Sequence, residues 1–151
     1  MLKNLDPILT ADLLHVLASM GHGDDIAIVD ANHPAATVAA ETTSGVLIRI
    51  PGVTMERVAK AVLSVLPIDT FVDDPLRCME VVGAPEEVPE VRSAVQAEID
   101  NLPDSPPALV PIERFAFYDM AKSSYAVIQV GDPRPYGCFL FKKGVIPGKV
   151  E

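Results

Sequence analysis

The sequence predicts an α/β fold, a single three-layer α/β/α domain over residues 1–151 with a central mixed or mostly parallel sheet. Amphipathic helical segments are followed closely by short apolar segments, which is typical of helices packed on a sheet. The apolar run 26–29 shows no alternation with polar residues, as expected for a strand covered on both faces. A chain of 151 residues can bury a substantial core, and we find no repeat or linker that would divide it.

The first half of the chain predicts two helices and two strands. Thr10 is a good N-cap for a helix whose apolar positions are Leu13, Leu14, Leu17 and Met20. Gly21 can end this helix in a left-handed conformation, and the strand 26–29 follows. A second strand covers 46–50, and Thr54 then caps a helix with an apolar face at Val58, Ala61, Val62 and Val65.

The second half predicts three strands and two helices around a proline-rich loop. In order, we predict a strand at 77–82, an acidic helix at 85–101, a loop at 103–111, an aromatic helix at 112–121, and strands at 125–130 and 136–141. Four prolines in the segment 103–111 are the reason for predicting a loop there.

Composition narrows the function classes. Hydrophobic residues make up 49% of the chain and charged residues 22%, which is typical of a globular protein. The net charge of −9 disfavours binding to nucleic acid, because an acidic surface repels phosphates. The two cysteines have no CxxC spacing, so we expect neither a disulfide framework nor a structural zinc site. The positive mean hydropathy suggests that sister subunits cover some apolar surface.

The same sequence predicts a cytoplasmic protein without a membrane partner. No apolar segment is long enough to span a bilayer. The first residues lack the basic start and the apolar stretch of a signal peptide.

The segment from Met20 to Pro34 contains the residues best suited to proton transfer. His22 stands between two glycines, which leave space around the imidazole for a ligand. A histidine that titrates near neutral pH can both give and take protons. The alternative is a histidine that merely caps or packs at a helix end.

Asp30 is the second candidate in this segment. It should lie beyond the carboxyl end of a strand, where ligands bind in open α/β sheets. An Asx-turn explains an aspartate there equally well. His33 precedes Pro34, and we interpret it as a loop residue first and a site residue second. His22, Asp30 and His33 are metal-ligand types, but their spacing matches no compact motif, so we expect no metal.

The second half of the chain contains three further candidates for a ligand site, namely Arg114, Tyr136 and Cys138. The planar guanidinium of Arg114 suits vicinal hydroxyls or a carboxylate, although a surface salt bridge is the simpler alternative. Tyr136 lies between a proline and a glycine and either presents its hydroxyl to a ligand or packs at a strand start. Cys138 has no neighbour in sequence that would activate it, so we interpret it as a small buried residue.

These segments together resemble the D-ribose pyranase / L-fucose mutarotase family, and its fucose branch in particular. The likeness follows the chain in order and is carried by Met20-Gly21-His22-Gly23-Asp24, Asp30-Ala31, Arg114-Phe115-Ala116-Phe117-Tyr118, Tyr136-Gly137 and Lys142-Lys143-Gly144-Val145. It is weakest between positions 70 and 111. Arginine at position 114 is similar to the fucose branch, whereas the ribose branch tends to carry histidine there.

The resemblance implies a mutarotase that interconverts the α and β anomers of L-fucose or a related monosaccharide by general acid–base ring opening and closure, with no cofactor. It implies that His22 is the proton donor, and that the sugar is bound by Asp30, Arg114, Tyr136, Gly137 and Cys138. It also implies a ring-shaped homo-oligomer, commonly a decamer, with sites at subunit boundaries. The general base stays open between Tyr136 and a water molecule.

Position 138 departs from the family's pattern, because cysteine stands where the family has asparagine. A thiol is a much poorer hydrogen-bonding group than an amide. The change matters if the side chain touches the sugar, and matters little if only the backbone does. It favours the alternative of a non-catalytic monosaccharide-binding protein linked to sugar uptake; a purely structural oligomer is a second alternative.

Overall fold

Five helices and a six-stranded mixed sheet form the fold, which the computed structural model describes over residues 1–151. The helices are α1 Ala11–Ser19, α2 Ala35–Ala39, α3 Met55–Leu63, α4 Glu90–Asp100 and α5 Arg114–Lys122. The strands are β1 Asp25–Val29, β2 Leu47–Ile50, β3 Leu76–Met79, β4 Val110–Ile112, β5 Ala126–Val130 and β6 Cys138–Lys142.

The strand order is β2-β5-β1-β6-β3-β4. Neighbouring strands are parallel except at β6, which is antiparallel to both β1 and β3. Because β6 runs against the others, its first residue lies at the edge where β1, β3 and β4 end. This arrangement confirms the predicted α/β class with a mixed sheet, and it brings four chain segments to one edge.

Helices cover both faces of the sheet, as the three-layer prediction requires. Ile26 and Ile28 of β1 point into the larger buried cluster, which contains the apolar faces of α1, α3 and α4. Ala27 and Val29 point into the smaller cluster, which contains those of α2 and α5. The uninterrupted apolar run of β1 therefore reflects burial on both faces. None of the five helices has the length and apolar character needed to span a lipid bilayer.

Helix α1 begins as predicted and ends differently. The Thr10 side chain accepts a hydrogen bond from the Leu13 N–H. The left-handed residue is Gly23, with φ 87°, and the prediction for Gly21 is wrong. The helix ends at its C-cap, Met20, whose backbone is extended with φ −63° and ψ 140°. The Lys143 ammonium donates to the carbonyls of Leu17 and Met20, at 2.7 and 2.6 Å. A distant lysine therefore caps the carbonyls that a glycine turn would otherwise have satisfied.

Two short elements were not predicted, namely α2 and β4. The predicted loop at 103–111 is wrong at its end, where Pro111 lies inside β4. A proline is tolerated here because β4 is an edge strand, paired with β3 alone. Strand β3 also ends earlier than predicted, at Met79, and α4 begins later, at Glu90.

Candidate functional site

A cavity of about 260 Å³ opens at the sheet edge where β1, β3 and β4 end and β6 begins. Its walls come from the loop after β1, the segment after β3, helix α5 and the loop before β6. The predicted residues Asp30, Arg114, Tyr136 and Cys138 all line it. The carboxyl ends of strands are where open α/β sheets bind ligands, so its position agrees with that rule.

Asp30 lies at the bottom of this cavity and is only 4% exposed. Its Oδ1 accepts the Asn32 N–H at 2.9 Å, and its Oδ2 accepts the Gly137 N–H at 3.1 Å. Burial raises the pKa of Asp30, although these hydrogen bonds act in the opposite direction. Asp30 therefore makes the Asx-turn of the alternative interpretation and also lines the cavity.

Residues 136–138 reach the cavity through an unusual backbone. Tyr136 has φ 62°, in the left-handed region that a bulky residue seldom adopts. Its hydroxyl accepts the Val82 N–H at 3.2 Å. A Cβ at Gly137 would approach the Asp30 Cβ to 3.2 Å, so glycine allows the loop to lie against Asp30.

Hydrogen bonds to the Asp132 carboxylate fix the loop before β6. This carboxylate is 3% exposed and accepts the Met55 N–H at 2.8 Å, where it caps α3 in place of Thr54, whose side chain makes no capping bond. Hydrogen bonds from Arg134 lower the pKa of Asp132 to about 2. Asp132 therefore holds both the start of α3 and the loop that leads to Tyr136.

Arg114 stands at the mouth of the cavity on an exposed turn of α5. Its guanidinium lies 5.4 Å from the ring centroid of Phe115 and 5.6 Å from that of Tyr118. The Tyr118 hydroxyl, acting as a hydrogen-bond partner, raises the pKa of Arg114. The salt-bridge alternative is not observed, because Glu113 caps α5 by accepting the Phe115 and Ala116 N–H groups, each at 2.9 Å.

His22 does not line this cavity. It lies before the first residue of β1, whereas Asp30 follows the last residue, so the two are at opposite ends of the strand. The His22 side chain is 42% exposed. Its Nε2 lies 3.0 Å from Oδ1 of the buried Asp69, and its ring centroid lies 5.1 Å from that of Phe71. Burial would raise the pKa of Asp69, but hydrogen bonds from the Phe71 N–H and from His22 lower it.

His33 lies in the loop after β1, as predicted, and it also lines the cavity. It is 7% exposed, and its ring packs against Phe117 and Tyr118 of α5. Its Nδ1 lies 3.4 Å from the Cys138 Sγ. Desolvation lowers the pKa of His33 to about 4, so the ring is neutral at pH 7. His33 and Asp30 share a loop, so the strand-end rule could have identified both.

Sequence reasoning also missed Tyr118 and Asp69. Tyr118 lies four positions after Arg114 on α5, so helical spacing already placed the two side chains on one face. Asp69 is 47 residues from His22 in the chain, and no local pattern relates the two. The three residues considered as metal ligands, His22, Asp30 and His33, do not converge, and no group of three or more metal-ligand side chains is close enough to bind an ion.

Comparisons with known proteins agree on one family. A model of the RbsD / FucU transport protein family matches residues 3–146. The chain is 36% identical to the L-fucose mutarotase of Actinobacillus pleuropneumoniae serotype 5b over 149 residues, which cover 99% of this chain and 100% of the relative.

Solved structures give the same result. The crystal structure of protein Atu2016, described as a candidate sugar binding protein, is 50% identical, with a TM-score of 0.93 and 97% of each chain covered. The fucose mutarotase of Streptococcus pneumoniae, solved in complex with L-fucose, is 30% identical, with a TM-score of 0.84; 97% of this chain and 100% of that chain are covered.

Proposed function

The chain belongs to the RbsD / FucU transport protein family, and from that premise we propose that it is a mutarotase interconverting the α and β anomers of L-fucose or a related monosaccharide. The observation that carries the proposal is the convergence of Asp30, Arg114, Tyr136 and Cys138 on one cavity from distant parts of the chain. The proposal treats residues 1–151 as one mutarotase-like domain in the cytoplasm.

The cavity suits a small polyhydroxylated ligand. Asp30 supplies carboxylate oxygens that accept hydrogen bonds, and Arg114 supplies several donors in one plane. Each sugar hydroxyl both donates and accepts, so it can be held between groups of the two kinds. Tyr118 and Tyr136 add aromatic surface and hydroxyls to the same cavity. In this proposal these side chains and the Gly137–Cys138 backbone bind and orient the sugar.

Mutarotation proceeds through the open-chain sugar. A base removes the proton from the anomeric hydroxyl while an acid protonates the ring oxygen, and the bond between the anomeric carbon and the ring oxygen breaks. The aldehyde then rotates and closes on its other face, with both proton transfers reversed. General acid–base assistance of this kind contributes about 10²–10⁴-fold.

We assign the acid to His22 of a neighbouring subunit. His22 and Asp30 of one chain lie at opposite edges of the sheet, so one copy does not contain both halves of the site. Asp69 engages Nε2 of His22, which fixes the ring and leaves Nδ1 for the substrate. The general base in this proposal is the Tyr136 hydroxyl or a water molecule bound beside it.

Exposed apolar side chains support such an assembly. Phe71, in contact with the His22 ring, is 72% exposed. Val82 and Phe115, at the cavity, are 57% and 66% exposed. Large apolar groups left in water at two sites of one monomer are typical of surfaces that another subunit covers. We propose that copies join head to tail through these surfaces into a closed ring, commonly a decamer in the family.

Saturation-transfer NMR on the anomeric protons of L-fucose and D-ribose tests the proposal. We expect the protein to accelerate exchange of at least one of these sugars, and His22→Ala to lower that rate about 10²-fold or more. His15→Ala is the matched control, because His15 is an exposed histidine on α1, and it should retain the full rate. Full exchange activity in His22→Ala would disprove the assignment of the acid.

A non-catalytic monosaccharide-binding protein is the second candidate, and Cys138 is the observation that favours it. Loss of an amide at a sugar contact changes substrate interactions without removing the cavity. Calorimetry separates the candidates, because a binding protein releases heat with L-fucose or D-ribose and yet leaves anomer exchange at the uncatalysed rate. A purely structural oligomer would give neither signal.

A further inference from the structure

We propose that His33, Cys138 and Asp30 form a hydrogen-bonded chain in which the Cys138 thiol has no donor or acceptor left for a ligand. The cavity therefore presents an apolar surface at residue 138, and it selects a sugar that carries no hydroxyl at that point. The inference rests on the proposed function and specifies the substrate class of the same site.

The three side chains are buried and fixed in place. Cys138 is 3% exposed, and its Sγ lies 3.4 Å from the His33 Nδ1 and 3.7 Å from the Asp30 Oδ2. The His33 carbonyl accepts hydrogen bonds from the Ala35 N–H at 2.7 Å and from the Gln129 side chain at 3.3 Å. The imidazole is therefore held beside the thiol by both its backbone and its aromatic neighbours.

The buried imidazole determines which group donates in each of these hydrogen bonds. His33 Nε2 is buried and has no hydrogen-bond partner. An unpaired buried N–H is costly, so the neutral ring carries its proton on Nδ1 and donates it to the Cys138 sulfur. The thiol then donates its own proton to the Asp30 Oδ2. Burial, and after it the negative charge of Asp30, raises the pKa of the thiol and keeps it from ionising.

This chain uses all the hydrogen-bonding capacity of the thiol. A thiol has one weak donor and a weakly accepting sulfur, and here each has a protein partner. Asparagine in the same place would have two donors and a carbonyl oxygen, more than His33 and Asp30 can satisfy together. The cysteine therefore offers nothing to a sugar hydroxyl, whereas an asparagine would.

Apart from His33 and Asp30, the thiol has apolar neighbours. Cys138 belongs to the same buried cluster as Met79, Leu140 and Phe117. Met79 and Val82 line the cavity from the β3 side. A sugar hydroxyl pressed against this surface would lose its bonds to water without gaining new ones. A C–H or methyl group would bury apolar surface there instead.

Selectivity among sugars that differ by one hydroxyl tests the inference. The panel is L-fucose, its 2-, 3- and 4-deoxy derivatives, and L-galactose, which adds a hydroxyl at C6. For one pair in the panel, we expect kcat/KM to favour the sugar without the hydroxyl by about tenfold or more. Cys138→Asn should remove or reverse that preference. Cys78→Ala is the control, because Cys78 is a buried cysteine that does not line the cavity, and it should keep the ratio within about twofold.

The results separate the inference from the proposed function. If no sugar in the panel is bound or exchanged faster than in buffer, the proposed function fails. If sugars are exchanged but no pair shows the preference, or Cys138→Asn and Cys78→Ala give the same ratios, only the inference is overturned.

A spectroscopic measurement on the wild-type protein covers the case in which a variant does not fold. Long-range ¹H–¹⁵N spectra of the three histidine side chains identify the protonated ring nitrogen of each. We expect His33 in the Nδ1–H form both before and after L-fucose is added. The Nε2–H form, or a change of tautomer on sugar binding, would contradict the hydrogen-bonded chain.

Discussion

His22 and Asp30 lie at opposite ends of strand β1, one before its first residue and the other after its last. The five residues of β1 extend about 16 Å, at about 3.3 Å per residue. An acid at one end cannot act on a sugar bound at the other end of the same chain. The relationship therefore makes subunit assembly a requirement of the proposed catalysis.

We expect Asp69→Asn to lower anomer exchange roughly tenfold to 10²-fold, in line with the general contribution of a positioned acid. The amide keeps the size of the carboxylate but removes the charge that holds the His22 ring. Saturation-transfer NMR with L-fucose measures the change. Asp73→Asn is the control, since Asp73 is an exposed carboxylate of the same segment. Equal rates for the two variants would exclude Asp69 as a positioning residue.

Burial of His33 predicts a pH-dependent loss of stability. The pKa of His33 is about 4 in the folded protein, whereas the ordinary value for histidine, which applies to the unfolded chain, is 6.5. The unfolded chain therefore takes up the proton first as the pH falls. The free energy of unfolding should therefore decrease between pH 6.5 and 4 by about 3 kcal/mol, with no further loss below pH 4.

Asp30, Cys138 and Tyr118 are the titratable groups that face the His33 ring. Asp30 has a raised pKa, so its contribution has the opposite sign and stabilises the fold as the pH falls. Burial raises the pKa of the Cys138 thiol, so the thiol stays protonated in this range. Urea denaturation of wild type and His33→Phe at several pH values isolates the histidine. The same pH dependence in both proteins would contradict the prediction.

Asp132→Ala should lower the free energy of unfolding by about 2–4 kcal/mol, because the Met55 N–H and the half-buried Arg134 guanidinium lose their partner. Thermal and urea denaturation measure this change. Glu90→Gln is the comparison, since Glu90 is 85% exposed and its oxygen lies 3.6 Å from Arg134. Its effect should stay below about 0.5 kcal/mol. Similar losses in the two variants would show that Asp132 has no special role.

Phe71→Ser should weaken the assembly without unfolding the subunit, because a side chain that is 72% exposed contributes little to the fold of one chain. Sedimentation velocity should detect smaller species, and exchange activity should fall with them. Val88→Ser, at a site 53% exposed just before α4, serves as the control. If Phe71→Ser sediments like wild type, Phe71 is not an interface residue.

Local patterns predicted much of the fold, and long-range contacts account for what they missed. The apolar run of β1 and the aspartate after it were enough to place Asp30 at the strand ends where the cavity opens. Carbonyls at the end of α1 are capped by Lys143 from the far end of the chain, so the local glycine was misleading. His33 becomes a cavity residue only because α5 packs over it. Asp69 meets His22 through tertiary contact alone.

Complementation between two inactive variants tests the composite site most directly. His22→Ala keeps an intact cavity and lacks the acid, whereas Arg114→Ala keeps the acid and lacks a sugar-binding group. Each alone should show little exchange of L-fucose by saturation-transfer NMR. In a ring assembled at random from equal amounts of both, about a quarter of the sites combine an intact cavity with an intact His22. We therefore predict recovery of about a quarter of the wild-type rate after co-expression; a mixture no more active than its separate components would contradict the account.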